Sequence, residues 1–285
     1  MISKSFSFNS IPINISKNEY HHITNCLCKL MIIIKVKVIT MDKKHIYENM
    51  EDNFIDGCYP KNKNIKGDLS YGEIKFHTDI SHMNSSQAMC INYFKKFFEK
   101  PEYENYLLNI LADIGVKIIQ TDTISSATFE YRPNTKDYTS YDFYIVLTSG
   151  KRIYFDIKYA ESRFGCIKSC KKDPGRYKRC WKMFYQNMVR RCFWLSLSKR
   201  AFYNNYKINR NILYAAPNDY VLFITPRVND SKGIVDGRKY IDDFKNDHIK
   251  NIYWEDLMET TIETVARCDE LKEYYDKFFD KYMRV

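Results

Sequence analysis

Carboxylates recur at intervals through the middle of the chain, and a lysine lies two residues after the third of them. Glu130, Asp142 and Asp156 are followed by Lys158 and Glu161. Carboxylate oxygens suit a hard divalent cation such as Mg²⁺, which keeps several waters and accepts a substrate phosphate in its coordination shell. Such a metal polarises the phosphate and lowers the pKa of a bound water, and a nearby ammonium stabilises charge on the phosphorus. These residue types therefore predict a small site for phosphodiester hydrolysis.

A plainer interpretation of the same residues is a surface ion-pair cluster, since an acid and a lysine two residues apart are common on solvated strands. Three features favour the metal site. The strand that carries Asp156 and Lys158 is otherwise apolar or aromatic, Asp142 lies on the strand predicted to pair with it, and a strongly basic segment follows. The noncatalytic alternative stays open at this point.

Two strand-like runs joined by a short turn would position these side chains. They cover residues 141–147 and 151–158. Because side chains alternate between the two faces of a strand, Asp142 lies on one face of the first strand, and Asp156 and Lys158 share a face of the second. The hairpin is thus expected to bury one apolar face and to present two carboxylates and an ammonium on the other.

Capping residues and helical periodicity predict the remaining elements. Four helical regions are predicted: one that begins at about residues 84–86, one over 102–114, one from 177 to about 198, and one helix or pair of helices over 254–282. The other predicted extended segments are 116–119, 127–132 and 220–225. The helix from residue 177 would present Gln186 and Arg190 together, because they are four residues apart. Residues 42–84 are polar and rich in turn residues, so they are predicted to be mostly loop.

The positive charge is concentrated in one segment. The chain carries a formal net charge of +10, but residues 163–210 hold 14 lysines and arginines against a single acid, Asp173. Such a segment is typical of a surface that faces phosphate groups, although a solvated basic helix would have the same composition. The residues expected to contact nucleic-acid phosphates lie mostly in the loop before the predicted helix: Lys168, Lys171, Lys172, Arg176, Lys178 and Arg179, with Arg190 on the helix itself.

Composition limits the class of protein. With 285 residues, of which 45% are hydrophobic and 28% charged, the chain is typical of a globular protein and unlike a disordered or collagen-like one. Nine glycines and seven prolines are too few for a many-stranded sandwich or propeller. Nine cysteines without paired CxxC spacing favour free thiols in a reducing cytoplasm over a zinc ribbon. The apolar stretch at residues 30–39 is short and contains Lys35 and Lys37, so no membrane association is expected.

Residues 1–40 differ from the rest of the chain, with little periodicity and scattered Asn, Ser and His. We expect them to be a poorly structured N-terminal extension, and residues 41–285 to form a single domain whose core covers about 75–265. Met41 as the start of translation is a hypothesis, and a peptide from residues 1–30 of the native protein in mass spectrometry would contradict it.

Around the acids the sequence resembles a known nuclease superfamily. Asp142 and the triplet Asp156-Ile157-Lys158 are similar to the PD-(D/E)xK motif of restriction-endonuclease-like nucleases. Six segments resemble, in order, the blocks of the bacterial PGN_0703-like restriction endonuclease family: SSQAMCINYF (85–94), FEYRPN (129–134), TSYDFYI (139–145), FDIKYAESRFG (155–165), RYKRCWKMFYQNMVRR (176–191) and YVLFITPRVN (220–229). The resemblance implies an α/β fold with a restriction-endonuclease-like core, in which a central mixed β-sheet is flanked by α-helices.

The resemblance also implies roles for the central residues. Asp142 and Asp156 would bind the metal, and Lys158 would be the catalytic lysine. Two positions depart from the motif. Ser140-Tyr141 stands where the motif has a proline before the first acid, and Asp156 replaces the more frequent glutamate, which shortens the ligand by one methylene.

Three further residues belong to the catalytic set that the resemblance implies. Glu130 would match an upstream acid that is a third metal ligand or a water-mediated contact. Glu161 belongs to the sequence pattern of the family, but the resemblance assigns it no specific role. Gln186 resembles a glutamine on the helix after the active-site strands, which contacts the site or the DNA in some nuclease branches.

From the resemblance and the charge pattern together we expect an endonuclease that uses Mg²⁺, or Mn²⁺ in its place, to hydrolyse DNA in restriction or phage defence. A repair or processing nuclease of the same fold, a nuclease acting on RNA, and a noncatalytic DNA-binding subunit stay as alternatives. DNA is the expected partner, a homodimer is considered because one active site per chain cuts one strand, and the expected location is the cytoplasm.

Overall fold

The computed structural model describes residues 46–69, 72–133, 139–165 and 179–284. The chain divides into two units, and every helix and strand reported below belongs to the unit that runs from Lys43 to Tyr282. The predicted N-terminal extension, residues 1–40, lies outside the described residues, so the predicted domain boundaries stay predictions.

A mixed β-sheet lies at the centre of the fold. Its six strands in the described residues follow one another across the sheet in sequence order: β1 (Asn64–Lys66), β2 (Ile124–Tyr131), β3 (Tyr141–Leu147), β4 (Arg152–Ile157), β5 (Tyr220–Thr225) and β6 (Ile249–Tyr253). The first four strands pair antiparallel, whereas β4, β5 and β6 pair parallel. β-branched and aromatic residues dominate β3 and β5, which is the composition that favours strands.

Eight helices in the described residues flank this sheet: α1 (Ser86–Phe94), α2 (Tyr103–Asp113), α3 (Gln186–Arg191), α4 (Lys199–Asn204), α5 (Tyr206–Ile212), α6 (Lys232–Asp242), α7 (Trp254–Val265) and α8 (Asp269–Tyr282). One turn of π-helix, Trp181–Tyr185, leads directly into α3. The predicted α/β fold, with a mixed sheet flanked by helices, is confirmed. None of the described helices combines the length and apolarity that a membrane crossing requires.

Aromatic residues join one layer of helices to the sheet. Phe94 on α1 stacks on Phe143 of β3 with ring centroids 4.2 Å apart, and its ring lies 4.8 Å from that of Phe155 on β4. Behind α1, the hydroxyl of Tyr275 on α8 donates a hydrogen bond to the Tyr93 carbonyl at 2.7 Å. This face of the sheet is therefore buried beneath helices from both early and late parts of the described chain.

The opposite face of the hairpin is also covered along most of its length. Tyr144 and Tyr154 pair across β3 and β4 and are buried. They belong to one buried cluster with Phe202 of α4, Ile208 of α5 and Ile234 of α6. The prediction of one buried and one polar face therefore holds only at the end of the hairpin that carries the acids.

The helix predicted to run to about residue 198 is wrong at its carboxyl end. It ends at Arg191, because Cys192 adopts an extended conformation with φ −73° and ψ 129°. Its predicted start at residue 177 lies outside the described residues.

Other predicted boundaries differ in smaller ways. Residues 116–119, predicted to be extended, do not join the sheet. The carboxyl-terminal helical run forms the pair α7 and α8. The helices α4, α5 and α6 and the strands β1 and β6 were not predicted, because short elements give weak periodicity and are stabilised mainly by packing.

Candidate active site

The two aspartates of the hairpin lie side by side. β3 and β4 pair antiparallel with Phe143 opposite Phe155, so Asp142 and Asp156 occupy the next step of the ladder. Directly opposed residues of an antiparallel pair share a face of the sheet. The hairpin register alone is therefore enough to bring the two carboxylates together.

Asp142 is half-buried at the end of the β3–β4 ladder. Its Oδ2 accepts a hydrogen bond from the backbone N–H of Ile157 at 2.5 Å, so the side chain takes the place of a strand carbonyl. Desolvation raises the pKa of Asp142 to about 7; the charge of Lys158 opposes this rise, and the carboxylate of Asp156 adds to it. The ionised form of Asp142 is therefore poorly stabilised by the surrounding protein, and an additional cation would stabilise it.

Asp156 is fully buried and is paired with two ammonium groups. Its Oδ1 accepts a hydrogen bond from Lys158 Nζ at 2.8 Å, and Lys207 Nζ of α5 lies 3.3 Å from the same oxygen. Burial by itself would raise the pKa of Asp156, but the two lysines outweigh desolvation and lower that pKa. The second oxygen, Oδ2, is buried and has no hydrogen-bond partner in the described part of the chain.

Lys158 is a buried cation held between acids. Besides Asp156 it donates a hydrogen bond to the carbonyl of Ile157 at 2.8 Å. Desolvation disfavours its charge, but Asp156, Asp142 and Glu161 outweigh that effect and raise the pKa of Lys158 above its ordinary value. In this arrangement Lys158 is therefore held as a cation among acids, and its ammonium can stabilise negative charge.

Glu130, near the end of β2, has an unusual backbone conformation. Its φ is +50°, which is uncommon for a residue other than glycine. The carboxylate accepts hydrogen bonds from Gln87 Nε2 at 3.0 Å and from Ser140 Oγ at 3.2 Å. The register of β2 and β3 places Glu130 across from Asp142. Backbone strain that is held in place by hydrogen bonds in this way is typical of functional positions.

The amino-terminal end of α1 fixes both outer carboxylates. Glu161 accepts hydrogen bonds from Ser86 Oγ at 2.7 Å and from the Tyr159 N–H at 2.6 Å. The neighbouring residue, Gln87, binds Glu130. Ser85 caps the helix, since its side chain accepts a hydrogen bond from the backbone of the first turn. One helix end thereby positions acids from two distant parts of the chain.

The acids do not form a three-ligand cluster. No group of three His, Cys, Asp or Glu side chains in the described ranges is arranged to hold a metal ion. The residues nevertheless fit Mg²⁺, which is commonly bound by one or two carboxylates while waters and substrate phosphates complete its shell. The adjacent carboxylates of Asp142 and Asp156, with the unpartnered Oδ2 of Asp156, are such a pair.

The residues predicted to bind nucleic acid are only partly described. Lys168, Lys171, Lys172, Arg176 and Lys178 lie outside the described residues. Arg179 and Arg190 are exposed on the helical segment that includes α3. Gln186, the first residue of α3, is half-buried, and no hydrogen bond joins it to the acids within the described residues. The structure thus places Gln186 on the predicted helix without linking it to the acids.

Two features of the site were not predicted from the sequence. Lys207 belongs to the basic segment, but nothing in its spacing separates it from the other cations there. Ser86 and Gln87 were predicted only as the start of a helix, although both bind site carboxylates. Neither signal could be read locally, because each contact joins residues far apart in the chain.

A family model described as restriction endonuclease associating with ARP matches residues 29–283, which is most of the chain. No curated protein and no solved structure matches it.

Proposed function

Since the chain belongs to the family of restriction endonucleases associating with ARP, we propose that it is a metal-dependent deoxyribonuclease of the PD-(D/E)xK kind. The observation that supports this proposal most directly is the pairing of Asp142 and Asp156 across the hairpin, with Lys158 against Asp156. Those residue types in that arrangement match the chemistry that phosphodiester hydrolysis needs. The narrower resemblance to the PGN_0703-like family stays a prediction.

In the proposed mechanism Asp142 and Asp156 would hold Mg²⁺, for which Mn²⁺ could substitute. The bound cation would supply a polarised phosphate and a bound water of lowered pKa. Lys158 is fixed by its hydrogen bonds to Asp156 and to the Ile157 carbonyl, so its ammonium would stabilise negative charge on the phosphorus without reorganising. The same ammonium would also orient a water beside the phosphate.

Glu130 and Glu161 would act through water or by positioning. Both carboxylates are already engaged by side chains of α1, at 3.0 Å from Gln87 and 2.7 Å from Ser86. A carboxylate held in this way would orient a water at the edge of the site. Gln186 has no described contact that supports a catalytic role, and we propose none for it.

The charge distribution supports DNA as the partner. Residues 179–218 contain eight lysines and arginines and no acid. Arg190 and Arg191 are exposed on α3, where they can contact phosphates. A surface of this kind binds the backbone of nucleic acid independently of base sequence.

Cleavage of plasmid DNA by variants tests the proposal. Asp142→Asn and Lys158→Met should each lower the rate in saturating Mg²⁺ by at least about a hundredfold, because each removes part of the charge arrangement around the phosphate. DNA binding measured in Ca²⁺ should be retained. Lys239→Met removes an exposed lysine on α6 and is the matched control, which should cut like the unaltered protein. Cleavage at the unaltered rate by either site variant would exclude this site.

A noncatalytic DNA-binding subunit is the rival function. The observation that favours it is that two lysines already pair with Asp156 Oδ1, as in a purely structural ion-pair cluster. Calorimetric titration with Mn²⁺ separates the two functions. A structural cluster should show no specific binding, whereas the proposed site should bind the cation and lose that binding in Asp142→Asn.

The biological task follows from substrate preference. We propose restriction or phage defence, with repair or processing of DNA as the alternative. Linear, circular, single-stranded and methylated DNA should be compared, together with RNA of the same sequence. Preference for unmethylated duplex DNA would support restriction, and cleavage of RNA alone would contradict the proposed substrate. Cleavage of both strands in one binding event would indicate a homodimer, because one active site per chain cuts one strand.

A further inference from the structure

Lys207 reaches the buried aspartate from a different element than Lys158 does. Its Nζ lies 3.3 Å from Asp156 Oδ1, and its side chain keeps 23% of its surface exposed. The start of α5 is anchored on the π-helical turn before α3, because the hydroxyls of Tyr206 and Tyr185 share a hydrogen bond of 2.6 Å. The helix therefore directs Lys207 at the carboxylate while one side of its stem stays in solvent.

The far end of α5 is anchored on the sheet. The hydroxyl of Tyr141 on β3 donates a hydrogen bond to the Asn211 carbonyl at 2.5 Å. With both ends of the helix held, a change in the position of the Lys207 ammonium is expected to come from its side chain. Its four-carbon stem has the rotamers to do so.

The two lysines on Asp156 differ in how free they are to move. Lys158 has 7% of its side chain exposed and also donates to the Ile157 carbonyl, so it is fixed. Lys207 has one polar contact among the described residues and reaches solvent. A divalent cation on Asp156 would repel both ammonium groups, and Lys207 is the one that can withdraw.

We propose that Lys207 is a second lysine of the site and occupies two positions. Without a divalent cation it neutralises Asp156, which otherwise would be a buried carboxylate balanced by Lys158 alone. When a divalent cation binds the Asp156 carboxylate, the Lys207 side chain turns toward the phosphodiester that enters the site. This inference rests on the proposed nuclease function, because it requires that Asp156 binds a metal.

The first test measures Mn²⁺ affinity by calorimetry on the full chain. Lys207→Met should bind Mn²⁺ about fivefold more tightly than the unaltered protein, because one competing ion pair of modest strength is removed. Lys207→Arg keeps the charge and should bind with the original affinity, as should the control Lys239→Met. Damage to the fold would weaken Mn²⁺ binding, so tighter binding by Lys207→Met could not be caused by misfolding. Unchanged or weaker binding in Lys207→Met overturns the proposal.

The second test measures binding of a DNA duplex by fluorescence anisotropy. In Ca²⁺, Lys207→Met should bind the duplex about tenfold more weakly, because a charge-assisted contact with phosphate is lost. In EDTA its affinity should match that of the unaltered protein, since Lys207 then pairs with Asp156. An equal loss in both conditions overturns the two-position proposal.

The outcomes separate this inference from the proposed function. If the unaltered protein binds no Mn²⁺ and cuts no DNA, both are contradicted together. If it binds Mn²⁺ and cuts DNA while Lys207→Met binds Mn²⁺ like the unaltered protein, only the role of Lys207 is contradicted.

Discussion

At the scale of single residues, two neighbouring aspartates at the same end of the hairpin have pKa values shifted in opposite directions. Desolvation dominates at Asp142 and raises its pKa to about 7. At Asp156 the ammonium groups of Lys158 and Lys207 outweigh desolvation and lower the pKa. Environments that push the pKa values of paired acids apart are typical of catalytic sites. The difference arises from which carboxylate the lysines contact, since both aspartates lie on the same step of the hairpin.

This difference predicts unequal costs of neutralising the two acids. In EDTA, Asp156→Asn should lower the free energy of unfolding by about 3 kcal/mol, because it leaves Lys158 buried without its ion pair. Asp142→Asn should change it by about 1 kcal/mol or less, because an amide oxygen can still accept the Ile157 N–H. Urea unfolding followed by circular dichroism measures both variants. Equal losses for the two would show that the lysines do not discriminate between the carboxylates.

At the scale of elements, the site depends on where α1 begins. Ser86 and Gln87 hold Glu161 and Glu130, and the capping side chain of Ser85 fixes the first turn that carries them. A helix end is a precise support, because the cap determines which backbone and side-chain groups face outward. The positions of the Glu130 and Glu161 carboxylates thus depend on the Ser85 hydroxyl, which contacts neither of them directly.

Removal of that cap should affect both stability and cleavage. Ser85→Ala should lower the free energy of unfolding by about 1 kcal/mol and also slow DNA cleavage, because the first turn of α1 frays. Ser198→Ala is the matched control: Ser198 caps α4 through the Ala201 N–H at 3.2 Å. The control should lose similar stability without loss of activity at saturating Mg²⁺. A normal cleavage rate in Ser85→Ala would show that α1 does not position the site.

At the scale of the whole molecule, charge and chemistry come from different segments. The hairpin supplies the acids, and the segment after it supplies the basic surface, with no acid from residue 179 to residue 218. Asp156 lies where the two meet, because Lys207 belongs to the basic segment. Attraction of DNA and its cleavage are therefore expected to separate experimentally.

The salt dependence of DNA binding tests the role of the basic surface. For contacts to about six phosphates, the slope of log affinity against log salt concentration should be about −5. The double variant Arg190→Ala, Arg191→Ala should reduce the steepness of that slope by about 2, one for each lost phosphate contact. Lys239→Ala should leave it unchanged. Fluorescence anisotropy at several salt concentrations gives the slopes, and an unaltered slope in the double variant would place the DNA elsewhere.

The sequence by itself determined the hairpin and what it carries. Alternation along two short strands joined by a tight turn is a local property, so the pairing of Asp142 with Asp156 could be predicted without knowledge of the rest of the fold. The helix start at Ser85 and the mixed α/β class were accessible for the same reason, since caps and strand composition are read over a few residues.

Only the tertiary structure decided the surroundings of those acids. That Lys207 pairs with Asp156, that α1 holds Glu130 and Glu161, and that helices cover the tyrosines beside the acids all depend on contacts between distant segments. Many cations and hydroxyls in the sequence were equivalent by type and spacing. Tertiary packing determines which of these cations and hydroxyls lie beside the acids, because burial of the apolar helix faces fixes the position of each helix relative to the sheet.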